Sequence, residues 1–273
     1  MQKAIARSGD VELSYSVEGS GDETLLLIMG LGGRAADWGT AFPSALAERY
    51  RVVRFDNRGV GASPVVPGGY SLSDLARDAT AVLDAVGAER AHVMGISMGG
   101  MISQLIALEH AARVDKLVLL STNYGGHDLE PPHPDAMRLF DPQEFFSRGR
   151  DPEAMMRFTL GVITGPGFVD RSPETLAEML ANVKAEPTPP MSFMAQLQAI
   201  LGSDRSELVR GIRRPTLVVH GDQDKLIPPA NGRLLAERIP GAHLVMLEGV
   251  GHMPMFEAPE RLIPVVREFL AQS

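Results

Sequence analysis

The 273-residue sequence contains no cysteine, so a disulfide framework, a thiolate metal site and a cysteine nucleophile are all ruled out. Long apolar runs are missing too: no window approaches the roughly 18 continuous apolar residues of a membrane span. Met1 to Asp10 carries no apolar core of signal-peptide length, and the expectation is a soluble, cytoplasmic protein. Positive charge is in deficit, with a net charge of −8 and no basic run, which argues against a nucleic-acid or anionic-membrane partner. Internal repeats and low-complexity tracts are absent. No His/carboxylate cluster has ligand spacing, and neither GxGxxG nor GxxxxGK[ST] occurs, so no metal and no cofactor are expected.

What is present is ordinary globular material, 44% hydrophobic and 22% charged, long enough for one α/β domain with an insertion. Two segments, Gln2 to Arg7 and Val11 to Glu18, flank the turn composition Ser8-Gly9-Asp10 and read as an opening hairpin. Short apolar runs follow at Leu25 to Met29, Arg51 to Phe55, His92 to Ile96 and Lys116 to Leu120, alternating with amphipathic stretches such as Leu72 to Val86. That rhythm predicts a mostly parallel sheet covered on both faces by helices. It lapses after Ser121 and returns at Pro215 to His220, a helix near 229–238, a strand at His243 to Leu247 and a last helix near 259–271. The expected architecture is an α/β fold of roughly eight strands, with residues 1–121 and 211–273 forming the core and 122–210 a helical cap inserted after strand six. The insertion has proline-rich corners at 130–134 and 186–190, helix-like pieces at 153–159 and 175–184, and six of the ten phenylalanines and six of the fourteen methionines. Most of these should pack the insertion onto the core, and several are expected to line an apolar substrate pocket.

The chemistry gathers at the ends of the predicted strands, where open parallel sheets form their sites. An apolar strand runs into Gly95-Ile96-Ser97-Met98-Gly99 and a helix follows at once, a nucleophile elbow in which two glycines let strand and helix close around an exposed serine hydroxyl. A serine needs a base that takes its proton and later returns it. His252, on the glycine-flexed loop Glu248 to Pro254 after the last strand, is the best placed of seven histidines. The imidazole needs a carboxylate after strand seven, where His220-Gly221-Asp222-Gln223-Asp224 offers two: Asp224 has the reach, and Asp222 reads as a turn residue bonding nearby amides. An oxyanion needs backbone donors, expected from Met98 and from Leu31 in Met29-Gly30-Leu31-Gly32-Gly33.

With Ser, Asp and His in that order, the chain resembles the α/β-hydrolase family over nearly all its length except the insertion. The resemblance is carried by the elbow, by Phe55 to Ser63, by Gly221 to Asp224 and by Gly249 to His252. It implies the triad Ser97, Asp224 and His252, and gives Asp56 and Arg58 a bracing role. Many members begin the oxyanion loop with His-Gly where Met29-Gly30 stands, a change that a backbone donor tolerates. The Met-Gly start, the elbow and the helix Ile102 to Leu108 look most like carboxylesterases of the methylesterase kind, with enol-lactonases and C–C bond hydrolases nearby. Relatives that attack with an aspartate, the haloalkane dehalogenases and epoxide hydrolases, are disfavoured by Ser97. The resemblance therefore implies a carboxylesterase acting through an acyl-enzyme on a small ester or lactone, largely apolar, whose identity is set within residues 122–210. A C–C hydrolase would need cations for a carboxylate, for which the insertion offers Arg138, Arg148, Arg150, Arg157 and Arg171. Outside enzymology, the alternative is a binding protein that keeps the triad for slow turnover or sensing.

Overall fold

A computed structural model describes residues 3–141, 143–144 and 151–272. Eight strands form one sheet in the order β1-β2-β4-β3-β5-β6-β7-β8. They are β1 (Lys3–Ser8), β2 (Val11–Glu18), β3 (Thr24–Ile28), β4 (Arg51–Phe55), β5 (Ala91–Ile96), β6 (Val114–Leu120), β7 (Thr216–Gly221) and β8 (His243–Leu247). β1 and β2 pair antiparallel, as do β2 and β4, and every later pairing is parallel, as the sequence rhythm predicts.

The α-helices with both ends among the described residues are α1 (Ala41–Ala47), α2 (Leu72–Ala85), α3 (Met98–Glu109), α4 (Pro134–Met137), α5 (Pro152–Ile163) and α6 (Phe168–Arg171), then α7 (Pro173–Ala185), α8 (Pro190–Leu201), α9 (Pro229–Arg238), α10 (Pro254–Glu257) and α11 (Pro259–Ala271). Local chemistry fixes many of their ends. Ser71 caps α2 by accepting the Asp74 amide, while Asp74 reaches back to the Ser71 amide. Asp151 caps α5 through the Glu153 and Ala154 amides, with Pro152 at the first helical position. Among the described residues no helix is long and apolar enough to cross a membrane.

Burial on both faces explains why the central strands read as continuous apolar runs. In β3, Leu26 and Ile28 join the core under α2 and α3, whereas Leu25 and Leu27 join the opposite core with Trp38, Phe42 and Leu262. Each fully buried leucine contributes roughly 1.5–3 kcal/mol relative to exposure. The helices between β6 and β7 extend both cores: Leu160, Ile163, Leu176 and Met179 pack into the second, and Ala199 into the first.

Parallel register brings the site-bearing loops to one edge. Ile96 lies opposite Leu120, Leu120 opposite Val219, and Gly221 opposite Leu247. Ser97, the loop at 222–227 and the loop at 248–253 therefore all emerge at the carboxyl ends of neighbouring strands, the position in which open α/β sheets hold ligands.

Candidate active site

Ser97 sits between β5 and α3 with φ 55° and ψ −122°. A non-glycine residue in that region stores roughly 1–3 kcal/mol of strain and persists only where its surroundings enforce it. The enforcement is visible on both sides. A β-carbon on Gly95 would overlap the Gly99 carbonyl, and one on Gly99 would overlap that of Ile28, so only glycine lets α3 come this close to β5 and β3. The Ser97 amide donates to Leu120 at 3.0 Å, and the Thr122 hydroxyl donates to the Ser97 carbonyl at 2.7 Å. Ser97 is half-buried at the amino end of α3, where the helix dipole favours negative charge.

His252 and Asp224 meet, both almost wholly buried. His252 Nδ1 lies 2.7 Å from Asp224 Oδ2. A carboxylate can only accept, so the Nδ1–H donates and Nε2 is left as an acceptor. Asp224 Oδ1 accepts the Leu226 and Ile227 amides at 2.9 Å each, and His220 Nε2, bonded to the Ile227 carbonyl at 2.8 Å, lies 3.3 Å from Oδ2. Burial pushes the Asp224 carboxyl up, but the His252 charge and the hydrogen bonds from His220 and His252 outweigh it and hold its pKa at about 2. No hydrogen bond joins Ser97 Oγ to His252 among the described residues; such bonds commonly tighten only when substrate is bound.

The loop after β3 lies against the serine: a β-carbon on Gly30 would sit 3.1 Å from Ser97 Cβ. Gly33 donates to the Gly30 carbonyl at 3.1 Å, closing a turn around Leu31 and Gly32. Neither the Leu31 nor the Met98 amide donates a hydrogen bond to another group among the described residues. The Met98 amide directly follows the serine, and the Leu31 amide belongs to the loop that touches it through Gly30.

Several contributors escape a reading of motifs. Glu257, at the end of α10, accepts the Gly165 amide at 2.6 Å, the Gly251 amide at 2.8 Å and the Met253 amide at 2.9 Å. Those last two residues flank His252, whose own amide donates to Ile163 at 2.6 Å. Burial raises the Glu257 carboxyl, opposed by the same three amides and by the His252 charge. Its one sequence signal is its place five residues after His252. Thr122 has no signal beyond lying just past β6.

Other expectations are refined. Asp56 does brace, accepting the Ala35 and Ala62 amides at 2.8 and 3.0 Å. Arg58 instead reaches α2 and makes a two-pronged pair with buried Asp78 at 2.6 Å. Asp222 is more than a local turn residue: it accepts the Gly249 amide at 2.7 Å and ties the β7 end to the histidine loop. The apolar side chains of the insertion divide: Met137, Met191 and Met194 are exposed, Phe168 and Met179 are buried, and Phe193 lies against Gly32. Phe145, Phe146, Arg148 and Arg150 fall outside the described residues. Arg138 pairs with Glu144, Arg157 with Glu153, and Arg171 donates to the Pro166 carbonyl. Cavities of about 410 and 460 Å³ lie away from Ser97, one between β2, α1 and α7 and the other around His92 and the end of α11.

The model of the alpha/beta hydrolase fold family matches residues 23–259. The chain is 31% identical over 247 residues to the "Putative carbamate hydrolase RutD" of Azorhizobium caulinodans, covering 90% of each. The enol-lactonase of Burkholderia xenovorans LB400 superposes with a TM-score of 0.83 at 28% identity, over 98% of this chain and 100% of that one. The esterase RhEst1 of Rhodococcus sp. ECU1013 superposes with a TM-score of 0.84 at 27% identity, over 100% and 99%.

Proposed function

The chain belongs to the alpha/beta hydrolase fold family, and on that premise we propose that it is a serine hydrolase cleaving a carboxylic ester of a small, largely apolar substrate through an acyl-enzyme. Ser97 is the nucleophile, His252 the general base and acid, Asp224 the carboxylate that holds the imidazole, and the Leu31 and Met98 amides form the oxyanion hole. The helices between β6 and β7 act as the cap that closes over the substrate.

In the first half-reaction His252 Nε2 takes the Ser97 proton as Oγ attacks the ester carbonyl, and the two amides receive the charge that collects on the carbonyl oxygen. Asp224, ionised across the working pH range, balances the imidazolium, which then returns its proton to the departing alkoxide. Water repeats the sequence on the acyl-enzyme. The observation that carries this reading is the strained Ser97 at a glycine-enforced elbow, together with a buried Asp224–His252 hydrogen bond at the same edge of the sheet.

A lactone would be opened by the same machinery, a reading favoured by the likeness to an enol-lactonase. A carbamate presents a carbonyl open to the same attack, in keeping with the name of the relative from Azorhizobium caulinodans. Of the five arginines that a C–C hydrolase would draw on, Arg138, Arg157 and Arg171 are engaged at the surface of the insertion, and Arg148 and Arg150 lie outside the described residues. The test is turnover on a panel of p-nitrophenyl esters, lactones and an aryl carbamate by wild type and Ser97→Ala. Loss of a triad member leaves only the roughly 10³–10⁴ over water that binding and the oxyanion hole provide. A Ser97→Ala protein that keeps more than about a tenth of wild-type turnover would refute the assignment.

A further inference from the structure

The turn that carries the Leu31 amide is poorly equipped to hold itself still. Three of its four residues, Gly30, Gly32 and Gly33, are glycines, and Gly32 has φ 68°. Glycine is the residue with most freedom to lose, so this loop has little stiffness of its own. An oxyanion hole, by contrast, works only if its donors are fixed before charge develops. The stiffness must come from neighbours.

The neighbours are side chains of the segment between β6 and β7. Gln196 of α8, fully buried, accepts the Gly32 amide with Oε1 at 2.8 Å, while its Nε2 faces the Arg58 carbonyl at 3.4 Å. Thr188 donates its hydroxyl to the Gly32 carbonyl at 2.8 Å. Both polar atoms of the one residue following Leu31 are thus held from outside. The Phe193 ring closes on the Gly32 α-carbon, where an added β-carbon would sit 3.1 Å from it. On the far side of the turn, buried Arg34 donates to the Asn182 carbonyl and, at 2.7 Å, to that of Glu186, so the same stretch of chain is fastened a second time.

We propose that Thr188 and Gln196 are positioning residues for the oxyanion hole: by gripping the amide and the carbonyl of Gly32 they aim the Leu31 amide at Ser97. The cap then completes the catalytic apparatus as well as covering the substrate. Of the two residues inside the turn, Gly32 thus has its amide engaged and Leu31 keeps its amide free. The inference rests on the assignment of Leu31 and Ser97 above.

Thr188→Val keeps the shape of the side chain and removes only the hydroxyl, Thr188→Ser restores the donor, and Gln196→Leu removes the acceptor. For each, kcat and KM on p-nitrophenyl butyrate, the inhibition constant of a trifluoromethyl ketone, the affinity of the matching methyl ketone and the melting temperature are measured. Thr188→Val and Gln196→Leu should lower kcat about tenfold, short of the roughly 10²–10³ for deleting a donor outright, with KM within about twofold. Trifluoromethyl ketone binding, which develops oxyanion charge, should weaken in proportion, and methyl ketone binding should not. Thr188→Ser should restore wild-type values.

Wild-type kcat in both Thr188→Val and Gln196→Leu would overturn the proposal. Equal weakening of both ketones would overturn it too, as would losses in Thr188→Ser matching those in Thr188→Val. If Ser97→Ala is inactive while these variants behave as wild type, this inference alone falls. An active Ser97→Ala would remove the assignment beneath it.

Discussion

Replacing Asp224 by asparagine exchanges one oxygen for an amide nitrogen, and the outcome can be worked from the contacts of that carboxylate. Oδ1 accepts two backbone amides at 2.9 Å, so the asparagine carbonyl stays on that side and its NH₂ faces His252 and His220. His252 Nδ1, now opposite a donor, must become the acceptor, which moves the ring proton to Nε2 and leaves nothing to receive the Ser97 proton. For a triad carboxylate this exchange costs roughly 10⁴ in kcat, or about 5.5 kcal/mol of transition-state stabilisation. It also removes a pH-dependent contribution to stability. The folded pKa of about 2 lies below the ordinary 3.8, so the stabilisation is complete above the unfolded value and is lost as pH falls from there towards the folded one. At about 1.4 kcal/mol per unit it amounts to about 2 kcal/mol, or roughly 4–8 °C in Tm. The assays are kcat on p-nitrophenyl acetate and Tm as a function of pH. Wild type should lose that much more Tm than Asp224→Asn on acidification to about pH 2. A variant within about tenfold of wild-type kcat, or with a Tm profile parallel to wild type, would refute the reasoning.

Gly99→Ala would push a β-carbon into the Ile28 carbonyl; it should destabilise the fold by about 3 kcal/mol or more and abolish turnover, read by urea unfolding and kcat. Glu257→Ala strips acceptors from the Gly165, Gly251 and Met253 amides, so stability should fall by about 3 kcal/mol and kcat with it as the His252 loop loosens, measured by urea unfolding alongside kinetics. Asp78→Ala leaves the Arg58 guanidinium buried without its partner and should cost about 3–5 kcal/mol of unfolding free energy, read by urea unfolding, while the folded fraction keeps wild-type KM.

The elbow, Asp224 and His252 are legible in the sequence because each stands in a loop whose composition is dictated by backbone geometry. Glycines at 95 and 99 announce a close approach, and Gly249 and Gly251 a flexed loop after a strand. The sheet is legible for a related reason: strands buried on both faces cannot hide their apolar runs. Gln196, Thr188 and Glu257 leave no such trace. A single polar residue on a helix or in a proline-rich corner reads as solvent-facing unless its partner is known, and the partner of Gln196 is 164 positions away. The methionines of the insertion show the converse failure. Composition marks them as apolar, but nothing local says that Met191 is 64% exposed while Met179 is buried.

The most direct measurement is to mix the protein with a p-nitrophenyl ester, quench in acid during turnover, and map the adduct by peptide mass spectrometry. The account predicts one added acyl group on the peptide bearing Ser97, formed with a burst of p-nitrophenol and absent in Ser97→Ala. Hydrolysis at full rate with the acyl group on another residue, or with Ser97→Ala still turning over as wild type, would contradict it.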